Sequence, residues 1–292
     1  MTISLISPAE FKKLTDGNTP ISIVDTRPAE EYNQGHIPGA VHLQWEEWCA
    51  KPPAGLSSEL NEPGYWGRLF DADDATVSKR LSEFGFRNEV PIVVYADGVK
   101  SKGREGRVAW MLLYYGAKDV RILNGGFHSW KLLGDKASQI GAEPSHGPES
   151  GFTVSKDERR RVLIDGLKSL MEKDPNLLLI DTRTPREYAG GDYRYMPRMG
   201  TLPDSKLVPF ASVFNDDGTF VSGEKLKRLV LESQEEKRNV VAFCEVGVRA
   251  CTVALLMEIY AGTVVPVYDG SMMEWSADPL LPVSSGATEN KD

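Results

Sequence analysis

The sequence predicts an α/β protein built from two tandem copies of one domain, each with a mainly parallel central sheet flanked by helices. Three observations predict this fold class. The same short motifs return in the same order in both halves, which indicates an internal duplication. Short, continuous apolar runs are typical of strands that are buried on both faces of a parallel sheet. Segments with the apolar spacing of helices lie between these runs, and this alternation is the pattern of α/β domains.

The repeat consists of three pairs of matching segments. In the first pair, an apolar strand leads into Asp-Thr-Arg and, a few residues later, Glu-Tyr. In the second pair, an apolar strand ends at Asp97 in one copy and at Cys244 in the other. In the third pair, a turn that contains glycine precedes a tryptophan. The pairs are 23–32 with 179–188, 92–97 with 240–244, and 123–130 with 268–275. Their common order indicates that one domain was duplicated.

Composition places the domain boundaries. Residues 134–151 are rich in Gly, Ser, Pro and charged side chains, which is typical of a linker. We therefore predict a first domain at 1–134, a linker at 135–151 and a second domain at 152–283. Residues 284–292 are small and polar and are predicted to form a frayed tail.

The second copy shows the alternation of elements most clearly. Apolar runs predict strands at 177–180, 240–243 and 264–268, and apolar spacing predicts helices at 224–234 and 249–260. In a sheet of this kind, ligands bind at the carboxyl ends of the strands. Cys244 falls at such an end.

Composition excludes several classes of protein. The chain has 292 residues, with 41% hydrophobic and 26% charged side chains, which is ordinary for a soluble globular protein of about two domains. The net charge of −8 argues against binding to nucleic acid through phosphate contacts. No apolar run reaches the length of a membrane span. We therefore expect no nucleic acid and no membrane among its partners.

The N-terminus and the scarcity of cysteine predict a cytoplasmic protein. Residues 1–8 lack the basic and long apolar regions of a signal peptide. Three cysteines are too few and too scattered for a disulfide framework, which fits a reducing compartment. The four histidines have no metal-ligand spacing, so we expect neither a metal site nor a cofactor.

The segment from Cys244 to Arg249 is the strongest candidate site. A cysteine stands directly after a strand, and an arginine follows five residues later at the start of a helix. The backbone N–H groups of such a loop, with the helix N-terminus behind them, form a site for an anion and favour the thiolate form of the cysteine. We therefore predict Cys244 as a nucleophile, with substrate bound by the residues that follow it. These are Glu245, Val246, Gly247, Val248 and Arg249.

The positions of Cys244 and Arg249 also allow purely structural roles. Cys244 could be a small buried hydrophobic residue, as most cysteines are. A cation at the start of a helix opposes the helix dipole, which suggests that Arg249 holds an anionic substrate. The alternative is that Arg249 pairs with Glu245 or with another carboxylate.

Several motifs together resemble the tandem-domain rhodaneses, the family of thiosulfate and 3-mercaptopyruvate sulfurtransferases. The resemblance covers nearly the whole chain. In the first copy it is carried by residues 25–27, 31–32, 35–40 and 124–126, and in the second copy by residues 181–183, 244–249 and 270–275. It implies two rhodanese-like domains and an enzyme that moves a sulfur atom through a persulfide on Cys244.

The resemblance also implies the reactants. Thiosulfate or 3-mercaptopyruvate would give up a sulfur atom to Cys244, and cyanide, a thiol or a thioredoxin-like protein would accept it. Because the residue of the first copy that corresponds to Cys244 is predicted to be Asp97, which cannot carry a persulfide, the first domain is expected to be catalytically silent.

Two other functions remain as alternatives. Phosphatases and arsenate reductases on this fold also use a cysteine and an arginine, but in a loop of seven residues. The loop from Cys244 to Arg249 has six, the length typical of sulfur transfer in the resembled family. The second alternative is a sulfur-binding or regulatory module without enzyme activity.

Glu245 and several residues outside the loop supply further expectations. Glu245 would repel a dianionic donor unless its side chain points to solvent, which is the orientation that we expect. Arg194 and Arg198 could bind an anionic donor or lie on a solvated loop. Arg183 is expected to pair with an acidic group of its own domain, and Trp275 to fill the core rather than to cap the site. Cys251 is expected to be a buried helical thiol.

Overall fold

The structure is a computed structural model that describes most of the chain. The described residues are 1–17, 19–55, 65–70, 72–134, 151–191, 196–230 and 239–286. No helix in these ranges is long and apolar enough to cross a membrane.

The chain folds into two compact units that do not follow the sequence copies strictly. The first unit comprises Met1–Trp45, Asp71–Glu158 and Phe214–Val221, and the second comprises Glu46–Phe70, Arg159–Val213 and Ser222–Asp292. Residues 46–70 of the first sequence copy therefore belong to the second unit, and residues 152–158 and 214–221 of the predicted second copy belong to the first unit. The pattern of apolar residues within one copy does not show that a segment packs with the other copy. The boundaries at 134 and 152, which divide the chain into contiguous repeats, stay a prediction.

The first unit contains a five-stranded parallel sheet in the order β1-β5-β4-β2-β3. Its strands are β1 (Thr2–Ile6), β2 (Ser22–Asp25), β3 (Ala40–His42), β4 (Ile92–Tyr95) and β5 (Asp119–Leu123). Its helices are α1 (Pro8–Asp16), α2 (Ala29–Gln34), α3 (Asp74–Glu83), α4 (Arg104–Tyr114) and α5 (Gly126–Lys131). Every residue of β4 is buried, as expected of a central strand covered on both faces.

The second unit repeats this topology, with the strand order β6-β10-β9-β7-β8. Its strands are β6 (Arg161–Val162), β7 (Leu178–Asp181), β8 (Lys206–Leu207), β9 (Val240–Phe243) and β10 (Val267–Tyr268). Its helices are α6 (Ile164–Lys173), α7 (Pro185–Tyr188), α8 (Gly223–Val230), α9 (Val248–Ala261) and α10 (Ser271–Ala277). The two sheets have the same order when β6 is placed on β1, which confirms the predicted duplication and the α/β fold class.

The elements predicted for the second copy are present, with one shortened strand. The helix predicted at 249–260 is α9, and the first part of the helix predicted at 224–234 is α8, whose predicted end lies outside the described residues. The strand predicted at 264–268 forms only at its last two residues, in β10. Pro266 precedes β10, and a proline has no N–H to donate to a sheet ladder.

Each unit has its own apolar core beside its sheet. In the second unit, Phe243 at the end of β9 packs in one cluster with Tyr268, Met272 and Trp275. Phe243 of this cluster directly precedes Cys244, so the candidate loop begins at the buried core.

Candidate active site

Cys244 lies directly after β9 and is fully buried. Its N–H donates to the Oγ of Ser271 at 3.1 Å, and its carbonyl accepts the N–H of Met272 at 3.1 Å. The Ser271 hydroxyl in turn donates to the carbonyl of Tyr268 at 2.7 Å. The backbone of the candidate nucleophile is therefore held on both sides by the first two residues of α10.

Ser271 holds this position in a conformation that disfavours a side chain. Its φ is +52°, in the left-handed region that a residue with a Cβ seldom adopts. The corresponding residue of the first unit is Gly126, with a φ of +60°. A serine in this place accepts backbone strain and gains a hydroxyl that binds the amide of Cys244.

The loop after Cys244 presents its backbone N–H groups without protein acceptors. Gly247 has a φ of 77° and turns the chain into α9, which has 14 residues. Within the part of the chain that the structure describes, the N–H groups of residues 245–249 donate to no protein atom. Unsatisfied N–H groups at the start of a long helix attract negative charge, as predicted for this loop.

Arg249 is bound by two carboxylates. Its Nη1 and Nη2 donate to the two carboxylate oxygens of Glu187 at 2.8 and 2.7 Å, and Nη2 also donates to Glu245 at 3.2 Å. Burial by itself would lower the pKa of Arg249, but the hydrogen bonds and charge of Glu187, with the charges of Cys244 and Glu245, raise it above its ordinary value. The alternative that Arg249 pairs with carboxylates is confirmed, and its forked face is occupied by Glu187.

Glu187 is a site residue that the sequence analysis did not identify. It belongs to the first turn of α7, where it forms a capping box with Thr184. Burial would raise the pKa of Glu187, but the hydrogen bonds and charge of Arg249 and the bonds from Thr184 lower it to about 2. The Glu-Tyr pair of the repeated motif was the available signal, although nothing local links it to Arg249, 62 residues away.

The side chain of Glu245 does not point to solvent as expected. Only 21% of it is exposed, because it lies against Arg249. The group of Glu187, Glu245 and Arg249 contains two acids and one base. Because Glu187 comes from α7, the loop residues Glu245 and Arg249 cancel each other, and the group of three has one net negative charge.

Arg183 and Arg198, which lie outside the loop, bind protein groups. The guanidinium of Arg183 binds both carboxylate oxygens of Asp181 and the carbonyl of Gly200, which confirms the expected pairing. Arg198 donates to the carbonyls of Ser276 and Asp278 at 2.9 and 2.6 Å, and so satisfies the C-terminal end of α10. Arg194 lies outside the described residues.

Trp275 and Cys251 are both buried and contact other residues of the second unit. Trp275 is buried in the core cluster, and its ring N–H donates to the carbonyl of Pro282 at 2.7 Å. Cys251 is a buried thiol of α9, and its Sγ lies 3.0 Å from the carbonyl of Gly247. Both agree with the expected core and helical roles.

The first unit has an alanine at the position of Cys244, and the assignment of Asp97 to this position is wrong. The last residues of β4 and β9 are equivalent, because β4 pairs with β2 and β9 with β7 in the same register. Ala96 therefore corresponds to Cys244, and its carbonyl accepts the N–H of Phe127 as that of Cys244 accepts the N–H of Met272. Asp97 stands one residue later.

The loop of the first unit is longer and has the opposite charge at its end. The left-handed glycine before the helix is Gly103, seven residues after Ala96, whereas Gly247 is three residues after Cys244. Glu105 consequently occupies the helical position of Arg249. Burial raises the pKa of Glu105 to about 7, although the hydrogen bond from Ser101 opposes the shift. An acid in this place would repel an anion.

Among the described residues, no three side chains of the types that bind metals lie close enough to hold an ion. The loop offers backbone N–H groups and a thiol, which suit an anion rather than a cation.

Comparison with known proteins agrees with this geometry. The model of the rhodanese-like domain matches the chain twice, at residues 7–133 and at residues 163–278. The chain belongs to the rhodanese family. Each match covers most of one sequence copy, so the protein is a tandem rhodanese.

Relatives of this rhodanese span nearly its whole length. It is 30% identical to the mitochondrial thiosulfate/3-mercaptopyruvate sulfurtransferase 1 of Arabidopsis thaliana, over 94% of this chain and 74% of the relative. It is 28% identical to the sulfur carrier protein TtuD of Thermus thermophilus, over 87% of both chains.

A solved structure shares the fold. The anaerobic ergothioneine biosynthesis enzyme from Chlorobium limicola, in complex with its natural substrate trimethyl histidine, superimposes with a TM-score of 0.80. The match covers 97% of this chain and 70% of that enzyme, at 24% identity. This likeness concerns the fold.

Proposed function

We propose that this rhodanese is a sulfurtransferase that carries sulfur as a persulfide on Cys244. One observation carries the proposal: a buried cysteine at the end of β9 is followed by five backbone N–H groups that have no acceptor among the described residues. A persulfide anion formed at this position needs such donors. The name of the Arabidopsis relative, a thiosulfate/3-mercaptopyruvate sulfurtransferase, supports the same chemistry.

The reaction consists of two transfers of one sulfur atom. The Cys244 thiolate attacks the outer sulfur of thiosulfate, a sulfur–sulfur bond forms on the cysteine, and sulfite leaves with the electron pair of the broken bond. With 3-mercaptopyruvate, a carbon–sulfur bond breaks instead, and the pyruvate enolate that leaves takes up a proton. An acceptor then attacks the outer sulfur of the persulfide and releases the Cys244 thiolate. Cyanide yields thiocyanate, and a small or protein thiol yields a new persulfide.

The charges of Glu187, Glu245 and Arg249 together favour a donor with a single negative charge. The anion is bound by the backbone N–H groups, because the fork of Arg249 is engaged by Glu187. Glu187 and Glu245 outnumber Arg249 by one charge, and like charges repel. Of the two donors, 3-mercaptopyruvate carries one carboxylate, whereas thiosulfate is a dianion. We therefore propose 3-mercaptopyruvate as the better donor.

The first unit is proposed to carry no persulfide. Ala96 has no sulfur, and the buried Glu105 places a carboxylate where the second unit has a guanidinium. A single sulfur atom per chain is therefore expected.

The decisive experiment measures persulfide formation and turnover on Cys244→Ser and on the matched control Cys251→Ser. The intact protein should gain the mass of one sulfur atom after treatment with 3-mercaptopyruvate or thiosulfate, and Cys244→Ser should gain none and should not form thiocyanate from cyanide. Cys251→Ser should retain both properties, because Cys251 is a buried thiol of α9.

Three results would contradict the proposal. Sulfur transfer by Cys244→Ser would exclude Cys244 as the carrier. Hydrolysis of an aryl phosphate or reduction of arsenate without any sulfur transfer would favour the phosphatase-like alternative. A wild-type protein that gains no sulfur from either donor would favour a binding module.

A further inference from the structure

A short segment of the first sequence copy packs on the candidate loop of the second unit. Residues 65–70, which we call the arm, belong to the compact unit that contains Cys244. The backbone of the arm is tied to residues 48–50, where Ala50 donates to the carbonyl of Arg68 at 2.7 Å and Phe70 donates to that of Trp48 at 3.0 Å. The arm is thus a defined element of the second unit.

Gly67 brings the backbone of the arm against the loop. A Cβ atom on Gly67 would lie 2.6 Å from both the Cα and the Cβ of Val246, and closer still to its carbonyl oxygen. Real Cβ atoms do not approach backbone this closely, so a side chain at this position would displace Val246. Val246 is two residues from Cys244, and its N–H is one of the five in the loop that have no acceptor in the described part of the chain.

Trp66 is the second residue of the arm that packs near the loop. Its buried ring packs with Met273, and Val246 packs against the same pair. The N–H of Met273 donates to the carbonyl of Glu245 at 2.9 Å. The ring therefore supports the segment that binds the backbone of the loop.

Polar contacts tie the arm to the turn that contains Ser271. The N–H of Leu69 donates to Asp269 at 2.8 Å, and Arg161 donates to the same carboxylate oxygen at 3.0 Å. Arg68 lies 3.5 Å from the carboxylate of Glu274. The arm thus contacts the loop and, independently, the turn whose Ser271 binds the amide of Cys244.

We propose that the arm positions the Cys244 loop and that Gly67 is the positioning residue at its centre. The proposal rests on the proposed sulfur transfer at Cys244. The loop gains its anion site only while its N–H groups converge, and the close contact of Gly67 with Val246 keeps the backbone in that conformation. The segment of the first sequence copy therefore completes the site of the second.

The test compares Gly67→Ala with Gly55→Ala in the full chain. Both glycines have a positive φ, +74° for Gly67 and +95° for Gly55, but a Cβ on Gly55 would meet no atom of the described residues within 4 Å. Backbone strain is thus common to both variants, and the clash with Val246 occurs in only one. We expect Gly67→Ala to lower kcat and the rate of persulfide formation at saturating donor by roughly 10- to 100-fold, because small displacements at a reacting centre have effects of this size.

Three further readouts complete the test. Gly55→Ala should keep the wild-type kcat. KM for the donor should change much less than kcat in Gly67→Ala, because the loop would still bind an anion but would misplace it. The thermal unfolding midpoint should fall in both variants, and further in Gly67→Ala because it alone adds the clash with Val246, so kcat is measured well below both midpoints. A kcat of Gly67→Ala equal to that of Gly55→Ala would overturn the proposal.

A second variant decides the matter if Gly67→Ala does not fold. Trp66→Leu keeps an apolar side chain on Met273 but removes most of its contact area, and we expect the same loss of kcat with little change in KM. Wild-type kcat in Trp66→Leu would overturn the proposal. The proposed function fails differently, since in that case the wild-type protein itself would take up no sulfur.

Discussion

The carboxylate of Glu187 binds both terminal nitrogens of Arg249, at 2.7 and 2.8 Å, across 62 residues of sequence. Both side chains are largely buried, with 5% and 15% of their surfaces exposed. Arg249 thereby links α7 to the start of α9 and fixes the end of the loop that begins at Cys244. The guanidinium therefore holds the helical end of the loop in place.

Replacing Glu187 with Gln should destabilise the protein by about 3 kcal/mol, because the change leaves a buried cation with an incomplete set of partners. Chemical unfolding at pH 7 measures the loss. The matched control is Glu31→Gln, at the equivalent position of the first copy, where 45% of the side chain is exposed and the nearest cation is 4.0 Å away. The control should unfold like the wild type, and an equal effect of both changes would show that the ion pair is not the cause.

The same pair predicts a dependence on pH. The pKa of Glu187 in the folded protein is about 2, below the ordinary value of 4.5. Its contribution to stability is therefore complete above about pH 4.5 and disappears as the pH falls toward 2. The stability difference between wild type and Glu187→Gln should shrink over this range.

Replacing Glu245 with Gln should change the preference for donors. The substitution removes one negative charge beside Cys244, and a dianion gains more from this than a monoanion. We expect kcat/KM for thiosulfate to rise by roughly five-fold relative to kcat/KM for 3-mercaptopyruvate, since one unit charge at contact distance is worth about 1 kcal/mol in water. The exposed Glu224 of α8 provides the control Glu224→Gln, which should leave the ratio unchanged.

Salt offers an independent check of this explanation. High ionic strength screens charges, so the ratio of the two donors should move toward that of Glu245→Gln when the wild type is assayed in added salt. A ratio that is the same in both proteins and at every salt concentration would exclude charge as the basis of donor preference.

Glu105 predicts a pH effect of opposite sign in the first unit. Its pKa in the folded protein is about 7, above the ordinary value of 4.5, so the folded state binds the proton more tightly than the unfolded chain. Stability from this group is complete below about pH 4.5, falls as the pH rises toward 7 and is lost above it. Glu105→Gln, which stays neutral, should therefore be more stable than the wild type at pH 8, by on the order of 3 kcal/mol.

Chemical unfolding at pH 5 and pH 8 tests this expectation. The gain from Glu105→Gln should be small at pH 5, where the wild-type carboxyl is largely protonated. Glu83→Gln, at an exposed position of α3, should show no such difference between the two pH values. A gain of the same size at both pH values would indicate that packing, rather than ionisation, is responsible.

Much of the site follows from local patterns in the sequence. The strand before Cys244, the glycine that turns the chain and the helix behind it are all read from neighbouring residues, and the structure contains each of them. The buried pairing of Arg183 with Asp181 is equally local, because the two residues flank one strand end. The pairing of Asp97 with Cys244 failed because the matched segments 92–97 and 240–244 differ in length by one residue, and the strand register places Ala96 opposite Cys244.

By itself, the sequence determined that the protein is a duplicated α/β chain with a cysteine at the end of a strand in its second copy. These properties depend on the spacing of apolar residues, on turn residues and on the order of motifs, all of which are local features of the sequence. Only the tertiary structure decided that Glu187 engages Arg249, that Glu245 faces this pair, and that Gly67 packs on Val246. The contacts of Glu187 with Arg249 and of Gly67 with Val246 join residues that are far apart in sequence. Such contacts form only when the folded sheet and helices bring the two residues together.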